Sequence, residues 1–123
     1  MDASPALIRN LPPERQRLWS ALRVMRRGCD VTTLAMTAQA SPQAAWRWLV
    51  LLHRAGFVAQ KVSGHTRGGN ILWRVTRDSG REAPYVDGHH MVDPNTRESY
   101  HIVARVGAHH PGWDLPILNG FVA

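Results

Sequence analysis

Acidic residues are scarce in this sequence of 123 residues, and its middle contains none. The chain has 15 lysines and arginines but nine aspartates and glutamates, which gives a formal net charge of +6 at pH 7. The charged residues between positions 31 and 77 are all basic: Arg47, Arg54, Lys61, Arg67, Arg74 and Arg77. Such an excess points to a polyanionic partner, and nucleic acid is favoured over an anionic membrane surface.

Cysteine and long apolar runs are also nearly missing. Cys29 is the only cysteine, so an intramolecular disulfide is excluded, and we expect a buried small residue rather than an activated thiol. The longest apolar run, residues 48–52, is far too short to span a bilayer. Residues 1–10 lack the basic start and apolar run of a signal peptide. We therefore expect a cytoplasmic protein that makes no contact with a membrane.

Recognised catalytic patterns are absent as well. The sequence contains no nucleophile elbow, phosphate-binding loop or HExxH motif, so we expect neither enzymatic activity nor a cofactor. A metal hypothesis rests on the C-terminal histidines, but their spacing does not match a closed zinc site, and we expect no metal. Its candidate ligands are His89, His90, His101, His109, His110, Asp87 and Asp93.

The first predicted helix follows a proline pair. Proline is tolerated in a first turn, and Glu14 favours the positive end of a helix. We expect this helix to run from residue 11 to about Arg27, with Gly28 ending it. Its apolar stripe, at spacing i, i+4 and i+7, consists of Leu18, Leu22 and Met25.

Two further helices are predicted, joined by a turn at residues 38–40. Asp30 is a suitable N-cap for a short helix over residues 31–37. Ser41 followed by proline is a paired start signal for a third helix over residues 42–55. The expected core stripe of the third helix is Ala45, Leu49 and Leu52.

A two-stranded hairpin is predicted after the third helix. Residues 57–62 and 71–76 alternate as strands do, and the glycine-rich loop between them carries His65 and Arg67. The composition then changes, because residues 79–123 hold three arginines and five acidic residues, a net charge of −2. The short elements predicted there are turns at 85–88 and 92–95 and a strand at 100–106.

The segment from Cys29 onward has a recognisable order of elements. Its sequence CDVTTLAMTAQASPQAAWRWLVLLHRAGFV presents a cap, a short helix, a turn, a serine, a long helix and an aromatic exit. With the hairpin up to Arg77, it resembles the winged helix-turn-helix DNA-binding superfamily. The strings LWRVTRDSGREAP and VDPNT resemble helix-turn-helix proteins of Mu-like phages and prophages. Gln39 stands where the family's turn usually has glycine, at a position that often requires a positive φ.

The resemblance implies a fold that is mainly α with a β-hairpin wing. Residues 11–78 would form the winged helix-turn-helix domain, with three helices and a two-stranded wing. Residues 1–10 would be a flexible N-terminal arm. Residues 79–123 would be an irregular C-terminal extension that packs on the domain or on a second subunit.

The resemblance also implies binding to double-stranded DNA. Helix 42–55 would read the major groove, and the 57–77 wing would grip the backbone. Gln43 can pair with adenine, and Arg47 with guanine or a phosphate. The candidate DNA-binding residues are Gln43, Ala44, Trp46, Arg47, Lys61, His65, Arg67, Arg74, Arg26 and Arg27. We therefore expect a phage- or prophage-associated transcriptional regulator in a bacterial cytoplasm, associated with the nucleoid when bound to DNA.

Other interpretations stay open. The basic side chains can be merely solvated, and binding to DNA can be non-specific, as in packaging. A winged helix can also act as an adaptor or inhibitor that binds a host or phage protein. Trp46, Val50 and Leu51 would then offer an apolar face to that partner, or to a second copy in a homodimer.

Overall fold

The computed structural model describes residues 12–63 and 70–103 of the chain. This part contains three helices, a two-stranded antiparallel sheet and a three-stranded antiparallel sheet. The helices are α1 (Glu14–Val24), α2 (Val31–Ala38) and α3 (Pro42–Arg54). The strands are β1 (Val58–Ser63), β2 (Asn70–Val75), β3 (Tyr85–Asp87), β4 (His90–Asp93) and β5 (Glu98–His101). The three predicted helices and the two hairpin strands are thus confirmed, whereas the predicted arm, residues 1–10, lies outside the described residues.

Side-chain caps begin α2 and α3 where the sequence predicts them. Asp30 Oδ1 accepts a hydrogen bond of 2.7 Å from the backbone N–H of Thr33. Ser41 Oγ accepts one of 3.1 Å from the N–H of Ala44. These bonds satisfy donors that helix geometry leaves unpaired, and each typically contributes about 1 kcal/mol.

The first helix ends earlier than predicted. α1 stops at Val24 rather than near Arg27, because the chain must turn to reach the hairpin. Residues 25–28 form that turn and bring Cys29 beside β2. There Cys29 and Trp73 exchange both backbone hydrogen bonds, at 2.9 and 2.8 Å. The pairing adds one residue to the hairpin sheet and ties it to the start of α2.

The turn between α2 and α3 places Gln39 in the left-handed region, with φ 57° and ψ 50°. Arg17 of α1 holds this turn in place. Its guanidinium donates to the carbonyl oxygens of Ala38 at 2.9 Å, Gln39 at 3.0 Å and Pro12 at 2.6 Å. The two bonds to Ala38 and Gln39 therefore support a backbone conformation that is unfavourable for a residue with a Cβ.

Gln39→Gly is expected to raise the free energy of unfolding by about 0.5–1 kcal/mol. Glycine adopts the left-handed region without the steric cost of a Cβ, although it loses more backbone entropy on folding. Gln39→Ala is the matched control, since alanine keeps the Cβ and should bring no gain. Urea unfolding of the three proteins measures the difference. A glycine variant no more stable than the alanine variant would show that the turn is not strained.

The helices and the hairpin enclose one apolar core. Trp19 of α1 is fully buried, and its ring stands edge-on to those of Trp48 and Phe57 at centroid distances of 6.2 and 6.4 Å. The predicted stripe residues Leu18, Leu22, Ala45, Leu49 and Leu52 are all buried, and Met25 is partly buried. The inward faces of α1 and α3 are thus fixed, and they determine which side of α3 points outward.

The C-terminal extension is not irregular over residues 85–101, which corrects the prediction. β3, β4 and β5 form an antiparallel meander, with Tyr85 opposite Val92 and Met91 opposite Tyr100. Met91 is completely buried, so packing of this strand on the core outweighs the local turn propensity. The chain turns at 88–89 and 94–97 rather than at 85–88 and 92–95. The last strand covers Glu98–His101 and residues 102–103 are not strand, whereas residues 104–106 of the predicted strand lie outside the described residues.

Residues 79–83 precede the meander and are held to α1 by hydrogen bonds. Gln16 Nε2 donates to a carbonyl of this segment at 2.7 Å, and Gln16 Oε1 accepts from the N–H of Ala83 at 2.9 Å. The indole Nε1 of Trp19 donates to Gly80 O at 3.0 Å. The first helix therefore supports both the core and the start of the extension.

Aromatic contacts join the meander to the end of α3. The Arg77 guanidinium lies 4.1 Å from the ring centroid of Tyr100 and 5.6 Å from that of Phe57. The Phe57 and Tyr100 rings stand edge-on at 5.3 Å. The N–H of Val103 donates to Arg54 O at 3.2 Å. The described chain therefore ends beside the last turn of α3.

Candidate nucleic-acid interface

The start of α3 presents exposed side chains. In its first turns the exposed residues are Pro42, Gln43, Trp46 and Arg47. Gln43 and Arg47 are four residues apart and so lie on the same side of the helix. Ala44 is half-buried and contributes its backbone N–H to the Ser41 cap. The structure therefore brings three of the candidate side chains together, whereas the fourth candidate of α3, Ala44, is half-buried.

Trp46 is held against the hairpin. Its side chain is 40% exposed, and its ring stands edge-on to Trp73 with centroids 5.5 Å apart. Trp73 is 1% exposed and also contacts the ring of His53, 5.9 Å away. Such edge-to-face packing fixes the orientation of the indole. Trp46 therefore combines a buried contact with an exposed apolar edge.

An open surface hollow lies beside this indole. It has a volume of about 630 Å³ and is lined by Val31, Pro42, Gln43, Trp46 and Arg47. Val31 is the first residue of α2, and the Asp30 cap fixes that end of the helix. The hollow therefore has apolar walls from two helices and hydrogen-bonding groups from Gln43 and Arg47.

Lys61 and Arg74 lie on one face of the hairpin. Lys61 is opposite Leu72 and Arg74 is opposite Ala59, which puts both basic side chains on the same side. Trp73 points to the other side, toward α3. The structure therefore does not place the two basic residues on the hairpin face that contacts Trp46. The other two candidates from the hairpin, His65 and Arg67, lie outside the described residues.

Arg26 and Arg27 are exposed in the turn after α1. Arg26 borders a hollow with Arg23, Val75 and Asp78 at the end of β2. Arg23 Nε and Asp78 Oδ1 form an ion pair at 2.9 Å there. The carboxylate nearest to Arg26 in this hollow is therefore already paired with a neighbouring arginine.

Arg54 is a basic residue of α3 that the candidate list omitted. It follows Arg47 by seven residues, which places it two helical turns further along the same side of α3. This spacing is the sequence signal that could have identified it. Together with Trp46, Arg47, Val50 and Leu51 it lines a shallow groove on the outer face. Val50 and Leu51 are partly buried against the core, so they are not a fully open apolar face.

Among the described residues, the candidate metal ligands and the thiol do not form a reactive site; His109 and His110 lie outside the described residues. Within residues 12–63 and 70–103, no three His, Cys, Asp or Glu side chains are placed to hold a metal ion. His90 and His101 are paired across β4 and β5 with ring centroids 5.7 Å apart. Burial, and secondly the Asp30 carboxylate, raises the pKa of the Cys29 thiol to about 11. Cys29 is therefore protonated at neutral pH and weakly nucleophilic.

Comparison of the chain with protein-family models, with curated proteins and with solved structures gives no match. In the described part of the chain, no helix has both the length and the apolar character needed to cross a membrane.

Proposed function

We propose that the chain binds double-stranded DNA through the exposed start of α3, in a winged-helix arrangement. The observation that carries this proposal is the outward pair Gln43 and Arg47 on a capped helix, within a segment whose charged residues are all basic. The three helices and the following hairpin, extended by the pairing of Cys29 with Trp73, support the arrangement. An α-helix of about 10–12 Å diameter fits the major groove, which is about 12 Å wide.

Each part of the surface has a distinct role in this proposal. The Gln43 amide offers one donor and one acceptor, which complement adenine N7 and N6. The Arg47 guanidinium offers two parallel donors, which complement guanine O6 and N7. Lys61 and Arg74 of the hairpin and Arg26 of the turn would bind phosphates, which add affinity but no sequence information. Sequence selectivity would therefore rest on α3.

A regulatory role is part of the same proposal. It rests on the resemblance of LWRVTRDSGREAP and VDPNT to helix-turn-helix proteins of Mu-like phages and prophages. The two strings meet in the structure, because Ser79 Oγ in the first donates a hydrogen bond to Asp93 Oδ2 in the second. A protein that selects one DNA sequence would act as a transcriptional regulator in the cytoplasm of a bacterial host.

Binding to a pool of random duplexes at two salt concentrations tests the proposal. We expect one enriched motif and an affinity that falls steeply with salt, because each neutralised phosphate releases counterions. Contact with about four phosphates would give a log–log slope of about −3.6. Salt-sensitive binding without enrichment would indicate an architectural role instead. A flat slope, or no binding at low salt, would exclude DNA as the partner.

A protein-interaction module is the second candidate function. The shallow groove on the outer face of α3 favours it, because Trp46, Val50 and Leu51 line this groove together with Arg47 and Arg54. Exposed apolar side chains flanked by charge are typical of protein contacts. A partner held by these apolar side chains would depend on Trp46 rather than on Arg47, so single substitutions can separate the two functions.

A further inference from the structure

The hollow at the start of α3 is lined by apolar side chains as well as by Gln43 and Arg47. Hydrogen bonding to a base edge does not require these apolar side chains. Gln43 and Arg47 would be sufficient to contact purine edges, yet the indole of Trp46 and the side chain of Val31 lie beside them. Trp46 is fixed by its edge-on contact with Trp73, 5.5 Å away. A rigid apolar wall next to two hydrogen-bonding side chains suits a ligand edge that is partly polar and partly apolar.

The major groove offers one apolar group of that kind. Of the groups that the four base pairs present there, the 5-methyl of thymine is the apolar group larger than a hydrogen atom, and methylation of cytosine adds the same group at the same position. Consecutive bases of a strand are separated by about 3.4 Å along the helix axis. A methyl group beside a purine that Arg47 or Gln43 contacts would therefore lie within reach of Trp46.

We propose that this hollow accepts the 5-methyl group of a pyrimidine, with Trp46 and Val31 as its apolar wall. The inference rests on the proposed binding to DNA and makes Trp46 a determinant of its sequence selectivity. Trp46 is well suited to this role because its orientation is already fixed, so little side-chain freedom is lost on binding. The predicted motif contains a thymine or a 5-methylcytosine next to a guanine or an adenine on the same strand.

Adding or removing one methyl group in the DNA tests the inference with the unaltered protein. In the enriched duplex, each thymine is replaced by deoxyuridine, and each cytosine by 5-methylcytosine, one position at a time. At one position we expect removal of the methyl to weaken binding about fourfold, or its addition to strengthen binding by a similar factor. The deoxyuridine arm and the methylcytosine arm distinguish the two sources of the methyl group.

A protein variant connects the methyl effect to the hollow. Trp46→Ala should bind the methylated and unmethylated duplexes equally, and Val31→Ala should reduce their ratio. Lys61→Ala is the control, because loss of a phosphate contact weakens both duplexes alike and leaves the ratio unchanged. Circular dichroism confirms that each variant is folded.

The possible outcomes separate this inference from the function on which it rests. A selective complex in which no position responds to the methyl group would overturn the inference and leave DNA binding intact. A methyl effect that persists in Trp46→Ala and Val31→Ala would assign the methyl site to another part of the surface. The absence of any DNA binding would overturn both the inference and the proposed function.

Discussion

Asn95→Ala is expected to lower the free energy of unfolding by about 2–4 kcal/mol. The Asn95 side chain donates from Nδ2 to Glu82 O at 2.9 Å and to Asp93 Oδ1 at 3.1 Å. Its Oδ1 accepts from the N–H of Glu82 at 3.1 Å. Asp93 is completely buried, so removal of a donor leaves its carboxylate with fewer hydrogen bonds in a site without water access. The segment that joins the meander to α1 would lose its anchor at the same time.

Thr96→Ala is the control for this prediction, because Thr96 lies in the same turn. Its Oγ1 accepts one exposed bond of 3.3 Å from the N–H of Glu98, and we expect a change of about 0.5 kcal/mol or less. Urea unfolding measures the stability. The indole N–H resonance of Trp19 reports on the anchor itself, since Trp19 Nε1 donates to Gly80 O at 3.0 Å. Equal stabilities for the two variants would show that the Asn95 bonds do not hold the segment.

The part of the fold that could be predicted from the sequence depends on local chemistry. Asp30 and Ser41 each accept a bond from an N–H three residues later, so the signal for each helix start lies within one turn. At Gln39 the resemblance implied a turn position that often requires a positive φ, and its φ is 57°. The alternation of the hairpin strands is likewise visible within six residues.

The residues that attach the meander to the helices could not be predicted, because their contacts join distant positions. Trp19 and Gly80 are 61 positions apart, and no periodicity within one element reports on such a pair. In the sequence Gly80 is one more turn-forming residue. In the structure a Cβ at Gly80 would lie 2.6 Å from Asn95 Oδ1, so glycine allows the close approach of the two segments.

The candidate interface was likewise predictable where local periodicity determines a side chain's position, but not where tertiary packing does. The outward placement of Gln43 and Arg47 follows from helical periodicity once the core stripe is known. The position of Trp46 does not, because its main ring contact is Trp73 on another element. Lys61 and Arg74 share a face, as alternation implies, but the orientation of that face relative to α3 depends on the tertiary packing.

Arg47→Ala is expected to weaken binding to the enriched duplex by about 10- to 100-fold, because a bidentate contact to guanine typically discriminates by about 1–3 kcal/mol. Selectivity should be lost mainly at one base pair. Arg47→Lys keeps the charge but not the two parallel donors, so it should recover affinity for all duplexes without recovering selectivity. Titration against the enriched duplex and against duplexes changed at each base pair measures both effects.

Arg54→Ala is the matched control, since Arg54 lies on the same side of α3 as Arg47 but two turns further from the helix start that would reach the bases. It should weaken binding to every duplex by a similar factor.

Trp46→Ala separates the two candidate functions: loss of a protein partner with this variant but not with Arg47→Ala would favour the interaction module. If Arg47→Ala weakened binding to enriched and scrambled duplexes equally, Arg47 would be a phosphate contact. The selectivity of α3 would then depend on Gln43 and on the hollow beside Trp46.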